Sequence, residues 1–228
     1  MLRVFSVFAL AGFLASAPPA DAQSIPSAYR YLEESQEAGV SVGYVAADRG
    51  RFGFAPGPDI VYEARYGLEL AGPLGIEGLV SLMPTTRHVI DPGRDEGDRV
   101  VDEAEMALAT IEVRLRFALT GRRTWHGVQP YFSVGGGFAF DAQGAQAEDG
   151  LLQAPDRFDF GTKFMGAVGT GVRIPLSDRF VLRGEASARL WKIDIPDGYR
   201  DPERDFGIVP DSEWTNAPGL TLGLAYRW

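Results

Sequence analysis

Cysteine is absent from the 228 residues. No disulfide framework holds this chain together, so its stability has to come from a packed core or from its surroundings. Histidine is scarce: His88 and His126 are the only two, and without cysteine or a histidine pair the residue types of a zinc site are missing. Positive charge is also in deficit. The formal net charge of -9 argues against nucleic acid as a partner, because phosphate contacts demand a surplus of Lys and Arg. Beyond residue 22 no apolar run approaches the ~18 residues of a membrane-spanning helix.

The one long apolar run lies at the start. Arg3 supplies a positive charge, Val4 to Ala17 is apolar apart from small residues, and Ala20-Asp21-Ala22 offers an A-x-A arrangement before Gln23. This reads as a secretory signal peptide over 1–22, too short for a spanning helix. Residues 23–38, with "YRYLEESQEA", are expected to form a short periplasmic lead segment, partly helical. The remaining 39–228 has a length suited to one all-β domain.

Alternation with a period of two runs through that domain, and successive strand side chains point to opposite faces. The apolar stripes are Val40, Val42, Tyr44; Tyr62 to Leu70; Leu74, Ile76, Val80, Leu82; Ala107 to Leu119; Phe132, Val134, Phe138, Phe140; Phe160, Phe164, Val168, Val172; Phe180, Leu182, Ala186, Leu190; and Leu220, Leu222, Leu224, Tyr226, Trp228. Eight strands bounded by Gly, Pro and Asp clusters indicate an all-β antiparallel fold. The connections near Ala71–Pro73, Gly121–Gly127 and Pro175–Asp178 are short. Those over Ala47–Pro58, Met83–Ala104, Asp141–Arg157 and Lys192–Glu213 are long. Short and long alternate, so an up-and-down barrel would collect its short turns at one rim and its long loops at the other, the plan of bacterial outer-membrane barrels.

A soluble lipocalin-type barrel has the same alternation with its apolar face inward. Against it stand polar faces rich in Gly, Ala and Ser, and aromatics near strand ends at Tyr62, Phe138, Phe140, Phe160, Phe180, Trp214 and Trp228, as in interfacial girdles. The stretches "PYFSVGGGFAF" at 130–140, "GTGVRIPLSDRFVLRGEASARLW" at 169–191 and the closing "LTLGLAYRW" resemble those of the small outer-membrane β-barrels of OmpA and OmpX type. The resemblance covers about 38–228. It implies an eight-stranded antiparallel up-and-down transmembrane barrel in the outer membrane of a Gram-negative bacterium, with loops outside and termini in the periplasm. It also implies that Leu220, Leu222, Leu224, Tyr226 and Trp228 serve as an assembly signal for the barrel-insertion machinery, although Phe is the commoner last residue.

Opposite the apolar stripes lie Glu63, Arg65, Glu69, Glu77, Glu112, Arg114, Arg116, Lys163, Arg173, Arg183, Glu185 and Arg189. Charges inside a membrane protein are costly and are paired or functional. Eight strands leave an interior only just filled by side chains, so a salt-bridged charge network plugging the lumen is expected rather than an ion pathway. His126, beside Gly127 and Val128, has no serine near it. The glycine runs at 133–138 and 166–171 sit inside strands rather than at a strand-to-helix turn, so they are not phosphate loops. The acidic loops at 91–103 and 193–213 lack EF-hand spacing and read as solvated surface. No cofactor and no metal site are expected. The reading is a non-catalytic structural or surface-interaction protein whose partners are outer-membrane lipid and lipopolysaccharide. An enzyme acting on lipid A or phospholipid, and a narrow channel for small solutes, remain as alternatives; the loops follow no motif that identifies a ligand.

Overall fold

A computed structural model describes residues 28–204 and 206–228. The expected signal peptide, 1–22, and residues 23–27 lie outside the described residues. Eight strands follow in chain order: β1 (Gln36–Val45), β2 (Asp59–Glu69), β3 (Leu74–Ile90), β4 (Val100–Ala118), β5 (Gln129–Asp141), β6 (Thr162–Pro175), β7 (Phe180–Asp194) and β8 (Ser212–Arg227). Each pairs antiparallel with its neighbours, and β8 returns to β1 to close the barrel. Closure leaves no free edge around the ring itself, as a spanning barrel requires; the β3–β4 hairpin runs on past it, with 84–90 beyond the β2 ladder and 100–107 beyond the β5 ladder.

The outer face carries the apolar stripes. Val40, Val42, Tyr62, Val80, Ile111, Val113, Leu115, Val134, Phe164, Leu220 and Leu222 are all exposed. Such a surface suits hydrocarbon, since a soluble protein rarely exposes an apolar patch of this extent. Aromatic pairs gather at both ends of the belt. Phe180–Tyr226 (5.5 Å), Tyr226–Trp228 (5.9 Å), Tyr66–Trp228 (6.2 Å) and Phe117–Phe132 (5.1 Å) lie toward the short turns, and Phe138–Phe164 (6.0 Å) toward the long loops.

The tight turn after β2 depends on Gly72. Its φ of +64° lies in the left-handed region that glycine enters without a Cβ penalty, and Leu70 N–H donates to Leu74 O at 2.8 Å across it. The turns 70–73, 119–128 and 176–179 share one end of the barrel with Gln36 and Trp228. The connections 46–58, 91–99, 142–161 and 195–211 share the other.

Three sequence expectations are corrected. The connection expected over Met83–Ala104 is mostly ladder, pairing from Met83↔Leu108 through Val89↔Asp102 and leaving only 91–99 as loop. This loop is no longer than the 119–128 turn, so the strict alternation of short and long fails there. Outward residues turn polar at Thr86, His88, Glu103 and Glu105 as the ladder leaves the belt, and this hid the strand. The inward face still packs: Thr85, Arg87, Val89, Ala104 and Met106 are buried. Second, β1 begins at Gln36, inside the expected lead segment, and the described residues 28–35 carry no helix, Tyr31 bridging Arg123. Third, Phe160 is no girdle residue. It is buried against Trp191, with ring centroids 6.2 Å apart.

The interior is layered, which the sequence did not suggest. Toward the long loops it is apolar: Met83, Met106, Leu108, Met165, Trp191 and Ile193 join Phe54, Phe158, Phe160 and Tyr199 in one core cluster. Loop aromatics complete it, with Phe54–Phe158 and Phe52–Tyr199 centroids both 4.6 Å apart. Two ion pairs pin the loops over this layer: Arg87–Asp149 at 2.6 Å, and Arg204–Asp156.

Candidate functional site: the buried charge network

Toward the short turns the interior is charged. Its side chains come from the inward positions of neighbouring strands around the barrel, and the antiparallel register sets their heights. Glu77 on β3 stands opposite Arg114 on β4, and Glu112 opposite Leu79. Across the barrel, Arg173 on β6 pairs in register with Arg183 on β7. Two like charges side by side would repel, so carboxylates from the far wall have to reach them.

The ion pairs form closed circuits. Arg189 meets Glu63 at 2.5 Å, and Glu63 meets Arg65 at 3.3 Å. Arg65 meets Glu77 at 3.1 Å, Glu77 meets Arg183 at 2.7 Å, and Arg183 meets Glu185 at 3.0 Å. Glu185 then meets Arg114 at 2.7 Å, Arg114 meets Glu112 at 2.5 Å, and Glu112 returns to Arg189 at 2.7 Å. Positive and negative alternate all the way round. Arg65 also spans the circuit to Glu185 at 3.0 Å.

A second circuit lies nearer the short turns and shares the Glu77–Arg183 edge. Glu77 lies 2.8 Å from Arg116, which pairs with Glu69 at 2.7 Å. Glu69 pairs with Arg173 at 3.0 Å, Arg173 with Glu37, and Glu37 with Arg183 at 3.7 Å. Glu77 is therefore a node of both circuits, facing Arg65, Arg116 and Arg183 together. Charge-assisted hydrogen bonds of this kind are about twice as strong as neutral ones. Burying the ions costs several kcal/mol each, which this mutual pairing offsets, although Arg116 Nε and Nη1 and Arg173 Nε donate no hydrogen bond.

Neutral groups finish the layer. Tyr131 Oη donates to Glu185 at 2.6 Å and accepts from Arg183 Nε at 2.7 Å, while the Arg183 guanidinium lies 4.5 Å from the ring centroid. Gly171 makes room for that ring, since a Cβ there would stand 2.6 Å from Tyr131 Oη. Ser41 donates to Glu63 at 3.1 Å, and Thr110 to Glu112 at 3.0 Å. Beside Arg65 and Arg183, next to Gly39 and Gly223, a void of about 10 Å³ remains, room for about one water.

Of the residues expected inside, Glu63, Arg65, Glu69, Glu77, Glu112, Arg114, Arg116, Arg173, Arg183, Glu185 and Arg189 come together. Lys163 does not, and its placement in the network is corrected. It sits near the long-loop end of β6, where Nζ pairs with the exposed Asp194 at 2.6 Å. Its side of the barrel faces the apolar layer at that height, above the level of the network carboxylates. Three further residues join the network. Glu37 falls within the lead segment expected over 23–38, although it shares the alternation phase of Gly39 and Ser41. Gln129 accepts from Arg173 at 2.6 Å, and Arg227 lies 3.9 Å from Glu37.

The terminal stretch points the other way. Leu220, Leu222, Leu224, Tyr226 and Trp228 all face outward from β8, and Gln36 exchanges two backbone hydrogen bonds with Trp228 at 3.1 and 3.2 Å. The two histidines lie outside the charged layer. His88 faces Glu103 at 3.4 Å, and the His126 ring lies edge-on to Trp125 at 5.0 Å. Among the described residues no group of three or more His, Cys, Asp or Glu is placed to hold a metal ion.

The closed ring, the apolar outer belt and the aromatic girdles define the class: this is an eight-stranded antiparallel up-and-down β-barrel with an apolar outer face, the architecture of small outer-membrane barrels. No protein-family model matches the chain, and no curated protein matches it by sequence. Solved structures similar to it include the attachment invasion locus protein Ail of Yersinia pestis bound to the heparin analogue sucrose octasulfate. There the identity is 14%, 85% of this chain and 99% of that chain are covered, and the TM-score is 0.41. Neisserial surface protein A is similar at 10% identity over 89% of this chain and 98% of that one, with a TM-score of 0.44. The outer-membrane protein AlkL, solved in lipid bilayers, is similar at 15% identity over 93% and 96%, with a TM-score of 0.45. At such identities the ligands named for those proteins belong to those proteins.

Proposed function

We propose that the protein is a non-catalytic outer-membrane barrel with a structural or surface-interaction role, its lumen plugged by its own side chains. The observation that carries this reading is the pair of closed ion-pair circuits across the interior, whose carboxylates and guanidinium groups are buried. The apolar layer above, sealed by loop aromatics, supports it further. A channel requires a continuous wet path, whereas an eight-stranded interior is filled by side chains. A lipid-modifying enzyme requires a polar catalytic group at the lipid-facing rim. His88 does pair with the Glu103 carboxylate, but among the described residues no hydroxyl hydrogen-bonds to it as a nucleophile would, and His126 lies against Trp125.

The barrel sits in the outer membrane of a Gram-negative bacterium, exported by its signal peptide. Both termini and the short turns face the periplasm, and the long loops face outward, as the sorting of connections in this class supports. Lipid and lipopolysaccharide surround the belt, and the barrel-insertion machinery reads Leu220 to Trp228 during assembly. Planar-bilayer recording on the refolded protein tests the plugged lumen. No steady single-channel current is expected; reproducible unitary currents through the wild type would overturn the reading and promote the channel.

A further inference from the structure

Residues 28–35 are not part of the barrel wall, yet they are held to its short-turn end at many points. Their backbone runs antiparallel to the 119–128 turn. Leu32 N–H donates to Arg122 O at 2.9 Å, Thr124 N–H to Arg30 O at 2.9 Å, and His126 N–H to Ala28 O at 2.8 Å. The segment then crosses to the opposite wall, where Glu69 N–H donates to Ser35 O at 2.7 Å. Arginines fasten it along the way: Arg122 donates to Glu33 O at 2.7 Å, Arg227 to Glu34 O at 3.0 Å, and Arg30 pairs with Asp178 of the 176–179 turn. Leu32, at 4% exposure, is buried beneath it. The segment thus touches the surroundings of all three short turns.

Burial of the charge network needs something on this side. Arg173, Arg227 and Glu37 lie at the short-turn end of their strands and are nonetheless buried. We propose that residues 28–35 are a strap that closes the short-turn mouth of the barrel and keeps bulk water from the charge network. The proposal rests on the plugged-lumen reading, since it is that layer which the strap shields. The strap lies outside the β1–β8 closure, so the barrel can form without it. Its attachment by hydrogen bonds, one exposed ion pair and one buried leucine, rather than a large apolar interface, makes it a unit that opens locally while the wall stays folded.

The absence of native cysteine permits a direct test. Ala118→Cys places one thiol at a buried inward position at the short-turn end of β4. Tyr31 and Arg123 are bridge partners flanked by the Leu32–Arg122 and Arg30–Thr124 hydrogen bonds, a non-hydrogen-bonded pair whose close Cα spacing suits a disulfide. In the full chain carrying Ala118→Cys and refolded in lipid, a water-soluble maleimide should label the introduced thiol slowly. Deleting 28–35 should speed labelling by about tenfold or more, as loss of a local protecting unit does. Leu32→Asp, which keeps the chain length, should do the same if the deletion fails to fold. When Tyr31→Cys and Arg123→Cys are added to Ala118→Cys, oxidation should form the 31–123 cross-link in the folded protein and slow labelling below that of the parent. Labelling unchanged by deletion or by Leu32→Asp, or a cross-link that does not form, overturns the strap. Such a failure leaves the wild-type conductance result, and with it the plugged lumen, untouched.

Discussion

Glu77→Ala removes a carboxylate shared by both ion-pair circuits, and its cost follows from the geometry. Glu77 is 2% exposed and faces Arg183 at 2.7 Å, Arg116 at 2.8 Å and Arg65 at 3.1 Å. Removing one partner of a buried pair costs about 3–5 kcal/mol, because an uncompensated charge stays behind. Three guanidinium groups lose compensation here, although each keeps a second carboxylate: Glu185 for Arg65 and Arg183, and Glu69 for Arg116. The shared partners forbid adding three full pair energies, so the expected loss is about 4–5 kcal/mol, roughly three decades in the folding equilibrium. Glu77→Gln keeps the volume and one acceptor oxygen but not the charge, and should cost about half as much. Lys163→Ala is the control, since its partner Asp194 is 72% exposed and such a pair is worth at most about 1 kcal/mol. Urea unfolding of the refolded barrel in lipid vesicles, compared at equal slope, gives the three differences. Equal losses for Glu77→Ala and Lys163→Ala would refute the argument that burial and shared pairing set the scale.

Trp228 closes the β1–β8 seam and packs on Tyr66 and Tyr226, so its deletion or Trp228→Asp should leave much of the protein unassembled in the cell, as the ratio of folded to degraded barrel will show; normal yield would contradict an assembly role. Trypsin added to intact cells should cut within 91–99, where Arg94 is exposed, or within 195–211, whereas cleavage confined to Arg122 or Arg123 would mean an inverted barrel. Burial, helped by Asp156, raises the pKa of the Tyr199 phenol in the loop layer. The contribution of the neutral phenol is therefore full below the unfolded value of about 10 and fades as pH climbs through the higher folded value. Aromatic circular dichroism should show the loop layer loosening only well above pH ~10, and Tyr199→Phe should remove that dependence.

The outward face of nearly every strand was legible in the sequence. Alternation is a local property: each residue facing hydrocarbon must be apolar whatever its neighbours do, so Val40-x-Val42-x-Tyr44 and Leu220-x-Leu222-x-Leu224 carry the signal within a few positions. The same alternation placed most inward charges, because whatever opposes a lipid-facing stripe points at the axis. The three short turns followed from Gly and Pro at fixed places, Gly72-Pro73 among them. Partnership inside the barrel was not legible. Arg114 and Glu185 are 71 residues apart and Arg173 and Glu37 are 136 apart. Which of them meet depends on ring closure and register, which no local pattern encodes. Height along the axis decided the rest. Lys163 has the right phase but the wrong level, so it meets Asp194 rather than the network, and Glu37 lies within a strand whose start the lead segment masked. The apolar layer beneath the long loops is completed by Phe54, Phe158 and Tyr199, which come from separate loops into one cluster with Met83, Ile90 and Met106 of the extended β3–β4 ladder. That burial is created by the tertiary structure alone, since each of these aromatics is in a connection whose local sequence says nothing of what it will cover.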